Sequence, residues 1–285
     1  MRAAWRCTVV LAALVVVCAV GNTAPKAYTS SSSAHAGSSA HAGPSAHAGS
    51  AQHSALSDSG PHPIVALGDS VPSGAACGCT PYPQLSGSGL TALGVRDVSV
   101  DNHAVGGYTT EDVVEQLTDD TEVISDLKRS DLTEVEIGAN DIGHSVKCGT
   151  SAPCYAPMIP EVENNLRTIV QRVHQLTAGH SSLVVLLDYW NVWLGGRYAQ
   201  AKGQAYVAAA AAVTNDVSNA IKTVAEQTGS AYVDLRAAFK GPDYTEDETA
   251  FLASDGDHPN AAGHRLIASA VEQVVQAQLH LASPP

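Results

Sequence analysis

The chain has 285 residues, 45% of them hydrophobic, so it can bury a sizeable core in one large domain or two small ones. Its formal net charge of -13 opposes binding to nucleic acid or to anionic membranes and leaves the substrate open.

Residues 1–27 read as a secretory signal peptide. Arg2 and Arg6 form a basic start, Cys7 to Val20 an apolar stretch, and Thr23-Ala24 or Lys26-Ala27 a cleavage zone. The apolar stretch is shorter than the ~20 residues of a membrane span, so no integral membrane segment is expected in the mature chain. An uncleaved anchor is the rival reading. Cys18 follows Val15-Val16-Val17 with no small residue before it, which argues against a lipoprotein cleavage site. Loss of Arg2, Arg6 and Lys26 with the signal takes the net charge from -13 to -16. The expected location is extracellular, with cell-wall association left open.

Residues 28–60 are of low complexity. Ser33-Ala34-His35-Ala36-Gly37 recurs as Ser39 to Gly43 and as Ser45 to Gly49. Small and polar residues bury too little apolar surface to order a chain, so this is read as a solvated spacer, not a histidine metal site. The domain is assigned to residues 61–285.

Ile64-Val65-Ala66-Leu67 opens the domain as a buried strand. Gly68 and Asp69 turn the chain, and Ser70 lands just past the strand's end. Val71 to Ser88 reads as a turn-rich loop, and Val95 to Val100 as a second strand. Glu111 to Leu127 carries Val113, Val114, Leu117, Val123 and Ile124 on one stripe, with Thr109 or Thr110 near its cap, which predicts a helix. Leu132 to Ile137 is a third strand. Glu161 to Thr177 keeps helical period through Val162, Leu166, Ile169, Val170, Val173 and Leu176, with Pro160 at its start. Ser182 to Asp188 holds the run Leu183-Val184-Val185-Leu186-Leu187, a strand buried on both faces. Gln204 to Gln227 is an alanine-rich helix, Ala231 to Leu235 a fifth strand, and Ala261 to Leu279 a closing helix. This alternation predicts an α/β fold with a five-stranded parallel sheet, helices on both faces, and chemistry at the edge where the strands end.

Four stretches converge on that edge. Gly68-Asp69-Ser70 follows the first strand, and Asn102-His103-Ala104-Val105-Gly106-Gly107 the second. Gly138-Ala139-Asn140-Asp141 follows the third, and Asp255-Gly256-Asp257-His258-Pro259-Asn260 precedes the last helix. Ser70 is a candidate nucleophile and needs a base to take its proton. His258 is that base, since imidazole titrates near neutrality, and Asp255 can hold its other nitrogen. The backbone N–H groups of Ser70 and Gly107 and the side chain of Asn140 can hold an oxyanion. His103, His144 and His264 are the rival histidines. Asp69 and Asp141 are read as holding their loops, and Asp257 as solvated. Trp190 and Trp193 follow the fourth strand and either wall an acyl pocket or pack the core.

These four stretches resemble, in order and spacing, the four blocks of the SGNH (GDSL) hydrolase family. The resemblance covers about residues 61–280. It implies a three-layer α/β/α sandwich of flavodoxin-like type and a metal-free serine esterase or lipase of the secreted type. It also implies a shallow, open site without the Gly-x-Ser-x-Gly elbow of α/β-hydrolases. By the spacing Asn102-x-Ala104-x-x-Gly107, the oxyanion glycine is Gly107. Family members often carry serine where Gly106 stands here.

Cys77, Cys79, Cys148 and Cys154 remain after signal removal, and four cysteines allow three pairings. Cys148 with Cys154 is favoured, which leaves Cys77 with Cys79 across a single residue, a strained ring. Pairing between the two loops is the alternative, and zinc a lesser one, since neither pair has zinc-site spacing.

The expected reaction is cleavage of a small-molecule or lipid carboxylic ester through an acyl-enzyme on Ser70, without a cofactor. The alternatives are a metal-dependent hydrolase using Asp69, Asp141, Asp255, Asp257 and His258, or a catalytically silent cell-wall binding module. The absence of a long apolar lid favours short acyl chains. The oligomeric state is not legible.

Overall fold

The computed structural model describes residues 62–279. The expected signal peptide and spacer lie outside the described residues.

The elements follow in chain order: β1 (His62–Gly68), α1 (Tyr82–Ala92), β2 (Val98–Asn102), α2 (Thr110–Asp119), α3 (Thr121–Leu127) and β3 (Leu132–Glu136). After a single-turn α4 (Ala152–Tyr155) come α5 (Ile159–Leu176), β4 (Leu183–Leu187), a short α6 (Gly196–Gln200), α7 (Gln204–Thr228), β5 (Ala231–Val233), α8 (Leu235–Lys240) and α9 (Ala261–Leu279). The strands form a parallel sheet in the order β2-β1-β3-β4-β5. Helices α1, α8 and α9 pack together on one side, and α2, α3, α5 and α7 on the other, which gives three layers. Among the described residues no helix is long and apolar enough to cross a membrane.

In this strand order the chain reverses direction across the sheet between β1 and β3. Loops that leave two such strands toward opposite faces part from each other and open a crevice at their carboxyl ends. Ser70 follows β1 and Asn140 follows β3, so the two flank that crevice.

Several elements depart from the sequence expectation for identifiable reasons. The loop expected over 71–88 gives way at Tyr82 to α1, whose sequence YPQLSGSGLTA has no apolar period. Its small residues serve close approach instead: a Cβ on Gly87 would lie 2.5 Å from Val100 Cγ2. The expected helix 111–127 is two helices, because the Asp120 side chain accepts from Glu122 N and Val123 N and caps a new start. Strand β2 begins at Val98, since Val95 N still bonds Leu90 O in the turn that closes α1. Strand β5 stops at Val233, because Asp234 caps α8 by accepting from Ala237 N at 2.7 Å.

The central strand β3 also buries two carboxyls that no apolar pattern flags. Glu134 and Glu136 are both fully inaccessible. Ser86 Oγ donates to Glu134 Oε1 at 2.6 Å, Glu134 Oε2 has no partner, and Glu136 lies beside the buried Tyr82 hydroxyl. Burial pushes Glu134 up to about 8, against the opposing pull of the Ser86 hydrogen bond. Burial and the neighbouring Asp69 push Glu136 well above the usual carboxylate range. Both side chains are therefore held protonated in the folded protein at neutral pH.

A carboxyl protonated in the fold but ionised in the unfolded chain stabilises the unfolded state as pH rises between the two pKa values. For Glu134 that interval runs from its ordinary 4.5 to about 8. Glu134→Gln, which keeps an acceptor for Ser86, is expected to be more stable than the parent by a margin that grows across this interval. Above it the margin levels off. Urea midpoints measured from pH 5 to pH 9 check this.

Candidate active site

The nucleophile loop begins at a glycine that no other residue can replace without movement. Gly68 sits at φ +149°, and a Cβ there would lie 2.1 Å from Glu136 O and 2.8 Å from Pro72 Cγ. Strands β1 and β3 are thus in backbone contact where the chain turns, and Asp69 N donates to Glu136 O at 3.2 Å. The Asp69 side chain is buried and fully engaged: Oδ1 accepts from Val71 N at 3.1 Å and Oδ2 from Tyr189 O–H at 2.7 Å. Burial raises its carboxyl to about 6, against the opposing effects of Tyr189, Val71 and His258. Ser70 is half-buried at the start of the next turn, and its carbonyl accepts from Ala75 N and Ser73 Oγ.

The glycine loop is tied to β1. His103 N donates to Ala66 O, Val105 N to Gly68 O, and Asn102 Nδ2 to Pro72 O at 2.7 Å. Gly107 lies at φ +88° with open space where a Cβ would stand. Asn140 Nδ2 donates to the carbonyl of the next residue, Tyr108, at 2.8 Å. One amide N–H of Asn140 is thereby anchored beside Gly107 while its second remains to donate. Asp141 fastens the same two loops: its carboxylate accepts from Thr110 N and from Thr110 Oγ1.

The turn before α9 is rigid. Leu252 and Pro259 form an antiparallel bridge, Ala253 N donates to His258 O, and Asn260 Nδ2 donates to Ala250 O and Leu252 O. Asp255 Oδ1 accepts from Asp257 N and His258 N, and Oδ2 accepts from His258 Nδ1 at 2.8 Å. With the proton on Nδ1 committed to Asp255, the lone pair of the ring lies on Nε2. Asp255 is 39% exposed. What burial it has pushes the carboxyl up, but the two N–H groups and His258 outweigh this and hold it below its ordinary value.

Ser70, Asn140 and His258 line one cleft of about 210 Å³, together with His144, Trp193 and Tyr206. Trp193 donates from Nε1 to Ile142 O and meets His144 edge-on, so it walls the cleft from a fixed position. Trp190 also borders the cleft but stacks on Phe239 at 4.2 Å within the core. Of the rival histidines, His103 bonds Asp126, His264 is buried beneath α1, and His144 alone reaches the cleft. Tyr189, which holds Asp69, and Tyr108, which holds Asn140, are positioning residues that the sequence did not single out. Their hydrogen bonds join residues far apart in the chain.

Of the set expected for a metal-dependent alternative, Asp69, Asp257 and His258 line the cleft, but among the described residues no three of the five bring their ligand atoms together. The carboxylates of Asp69, Asp141 and Asp255 are each taken up by donors of their own loops or of neighbouring ones. Among the described residues the group whose ligand atoms come together is a different one, Cys77, Cys79 and His264. The sulfurs of Cys77 and Cys79, and those of Cys148 and Cys154, lie at disulfide distance within their own loops, with Cα separations of 5.1 and 5.6 Å.

Residues 66–266 match the profile of the GDSL-like lipase/acylhydrolase family. No curated protein matches the sequence. Among solved structures, the chain is similar to a lipase from a goat rumen metagenome, at 17% identity and a TM-score of 0.60 over 75% of this chain and 97% of that one. It is similar to a catalytic mutant of an acetylxylan esterase from Geobacillus stearothermophilus, at 21% identity and 0.56 over 77% and 96%. It is also similar to a lipase/acylhydrolase from Enterococcus faecalis, at 19% identity and 0.53 over 78% and 100%. At these identities the likeness is one of fold.

Gly68→Ala is expected to cost roughly 3 kcal/mol of stability, because the new methyl meets a backbone carbonyl that has no room to retreat. Gly106→Ala is the control: its Cβ would come no closer than 3.9 Å to Ser70 Cβ. That change should stay within about 0.5 kcal/mol of the parent. Urea denaturation of both variants measures the difference.

Proposed function

Because the chain belongs to the GDSL-like lipase/acylhydrolase family, and is on that footing a carboxylic ester hydrolase, we propose that it cleaves its substrate through an acyl-enzyme on Ser70. The observation that supports this most is the shared cleft of Ser70, Asn140 and His258, with the His258 ring oriented by Asp255. In this reading Ser70 Oγ attacks the ester carbonyl while His258 Nε2 takes its proton. His258 then returns that proton to the leaving alcohol. Water, deprotonated by the same nitrogen, attacks the acyl-enzyme and releases the acid and free Ser70.

The oxyanion would be held by the N–H groups of Ser70 and Gly107 and by the free amide N–H of Asn140. The Asn140 side chain is already anchored to the Tyr108 carbonyl, one residue beyond Gly107, which supports a donor set aimed before the charge develops. Asp255 keeps the imidazole in the required tautomer and stabilises the imidazolium that forms.

The substrate class proposed is a short-chain or otherwise small ester. A cleft of about 210 Å³ falls below the ~300 Å³ at which drug-sized ligand pockets begin. Trp193 and Tyr206 supply aromatic wall to that cleft. The Geobacillus stearothermophilus protein is an acetylxylan esterase, and an acetyl ester belongs to the same chemical class. We also propose that the protein is exported through residues 1–27, that residues 28–60 act as a spacer, and that Cys77–Cys79 and Cys148–Cys154 form disulfides. Mass spectrometry of the protein from its culture medium tests all three, and a retained Met1 would overturn the export reading.

Ser70→Ala is expected to abolish both ester hydrolysis and labelling by a fluorophosphonate probe without changing the circular dichroism spectrum. Asn140→Ala should lower kcat by about 10²- to 10³-fold, the cost of losing one oxyanion donor. A chelator should leave the rate unchanged. With p-nitrophenyl esters from acetate to palmitate, kcat/KM should fall as the acyl chain lengthens. A parent protein that takes no fluorophosphonate label would point instead to a silent binding module.

A further inference from the structure

The loop that carries Ser70 ends in Cys77-Gly78-Cys79, and neither cysteine has a part in ester hydrolysis. Left-handed backbone on both sides of Cys77, at φ +57° for Ala76 and +59° for Gly78, turns the two side chains toward each other. An alanine holds that conformation only where its surroundings enforce it. Outward, the pair is open: Ala76, Gly78 and Thr80 are exposed, and a Cβ on Gly78 would meet nothing within 4 Å.

Inward lies His264 of α9, fully buried. One of its ring nitrogens and the two sulfurs all lie within 4.8 Å of one another. His264 Nδ1 accepts from Tyr82 N at 3.2 Å, so the ring's own proton sits on Nε2. Nε2 is buried and has no partner. A buried, neutral imidazole that keeps one N–H unspent thus stands behind a half-buried sulfur pair. Burial, with His258 adding to it, lowers this ring's pKa to about 4, consistent with a neutral donor.

We propose that Cys77 and Cys79 form a reversible thiol–disulfide site for small thiols, with the buried Nε2–H of His264 stabilising the sulfur released on reduction. An incoming thiolate attacks one sulfur from the open side. The S–S bond breaks, and its electron pair leaves on the other sulfur as a thiolate facing His264. A second thiolate attacks the mixed disulfide and frees the first cysteine, so two small thiols become one disulfide and the protein gains two thiols.

Two features favour this chemistry. A ring closed across one residue restrains little chain entropy, so the bond has little to protect it. A buried N–H beside the leaving sulfur favours the thiolate.

Reduction should reach the active site. Only Ala76 separates Cys77 from Ala75, whose N–H holds the Ser70 carbonyl. His264 N donates to Asn260 O at 2.9 Å, two residues beyond His258. Release of the strained Ala76 turn therefore loosens the serine loop.

The test equilibrates the protein in graded mixtures of reduced and oxidised glutathione, alkylates free thiols, and weighs the peptides of the two cysteine pairs separately. The Cys77–Cys79 pair is expected to open at a glutathione ratio at least about tenfold less reducing than Cys148–Cys154 needs. Ester hydrolysis should fall in step and return on reoxidation. In Cys77→Ser/Cys79→Ser it should no longer respond to glutathione. His264→Phe should make the pair about tenfold harder to reduce. Equal resistance of the two pairs, or stoichiometric zinc binding by the reduced pair in place of exchange, would overturn the proposal. An unchanged hydrolysis rate on reduction would overturn the link to Ser70. The alkylation readout does not depend on ester hydrolysis, so loss of activity in every state would sink only the Ser70 reading.

Discussion

The backbone contact between Gly68 and Glu136 is the constraint on which the site depends. Two parallel strands approach so closely there that a single methyl group would strike a carbonyl oxygen. The contact lies where the order of strands reverses, so the loops that leave β1 and β3 diverge and the crevice between them receives both Ser70 and Asn140. A looser fit at Gly68 would let the serine loop shift relative to the asparagine loop. The distance between nucleophile and oxyanion donor would then vary, and the cost in rate of an ångström there is large.

Around that contact the loops are stitched by groups that have no reacting role. Tyr189 holds Asp69, Tyr108 holds Asn140, Thr110 holds Asp141, and Asn102 holds the Pro72 carbonyl. Each bond joins segments that come from different strands. Their effect is preorganisation: the donors that meet a developing negative charge are fixed before the charge appears. The turn that carries His258 is built on the same plan, with Asn260 and Asp255 satisfying its backbone from within.

Beneath the site lies a polar interior that works against stability. Asp69, Glu134 and Glu136 are carboxyls raised by burial, and Glu136 has only the buried Tyr82 hydroxyl beside it. A buried carboxyl short of partners survives by keeping its proton. The central strands beside the nucleophile loop thus carry buried carboxyls among otherwise apolar residues.

The sequence by itself determined the alternation of strands and helices, the four loops that carry chemistry, and the family they resemble. Apolar period and turn chemistry are local properties, and α5, α7, α9, β3 and β4 match it closely. It did not reveal α1, whose glycines and serines satisfy a neighbour's shape and not a periodicity, nor the break at Asp120, where one cap outweighs a continuous stripe. It did not reveal the partners of Asp69 and Asn140, or that His264 lies against Cys77 and Cys79. Those facts waited on the folded chain, because contact between residues from about thirty to nearly two hundred positions apart depends on strand order and on the closeness of packing, and neither is written in any local window of the chain.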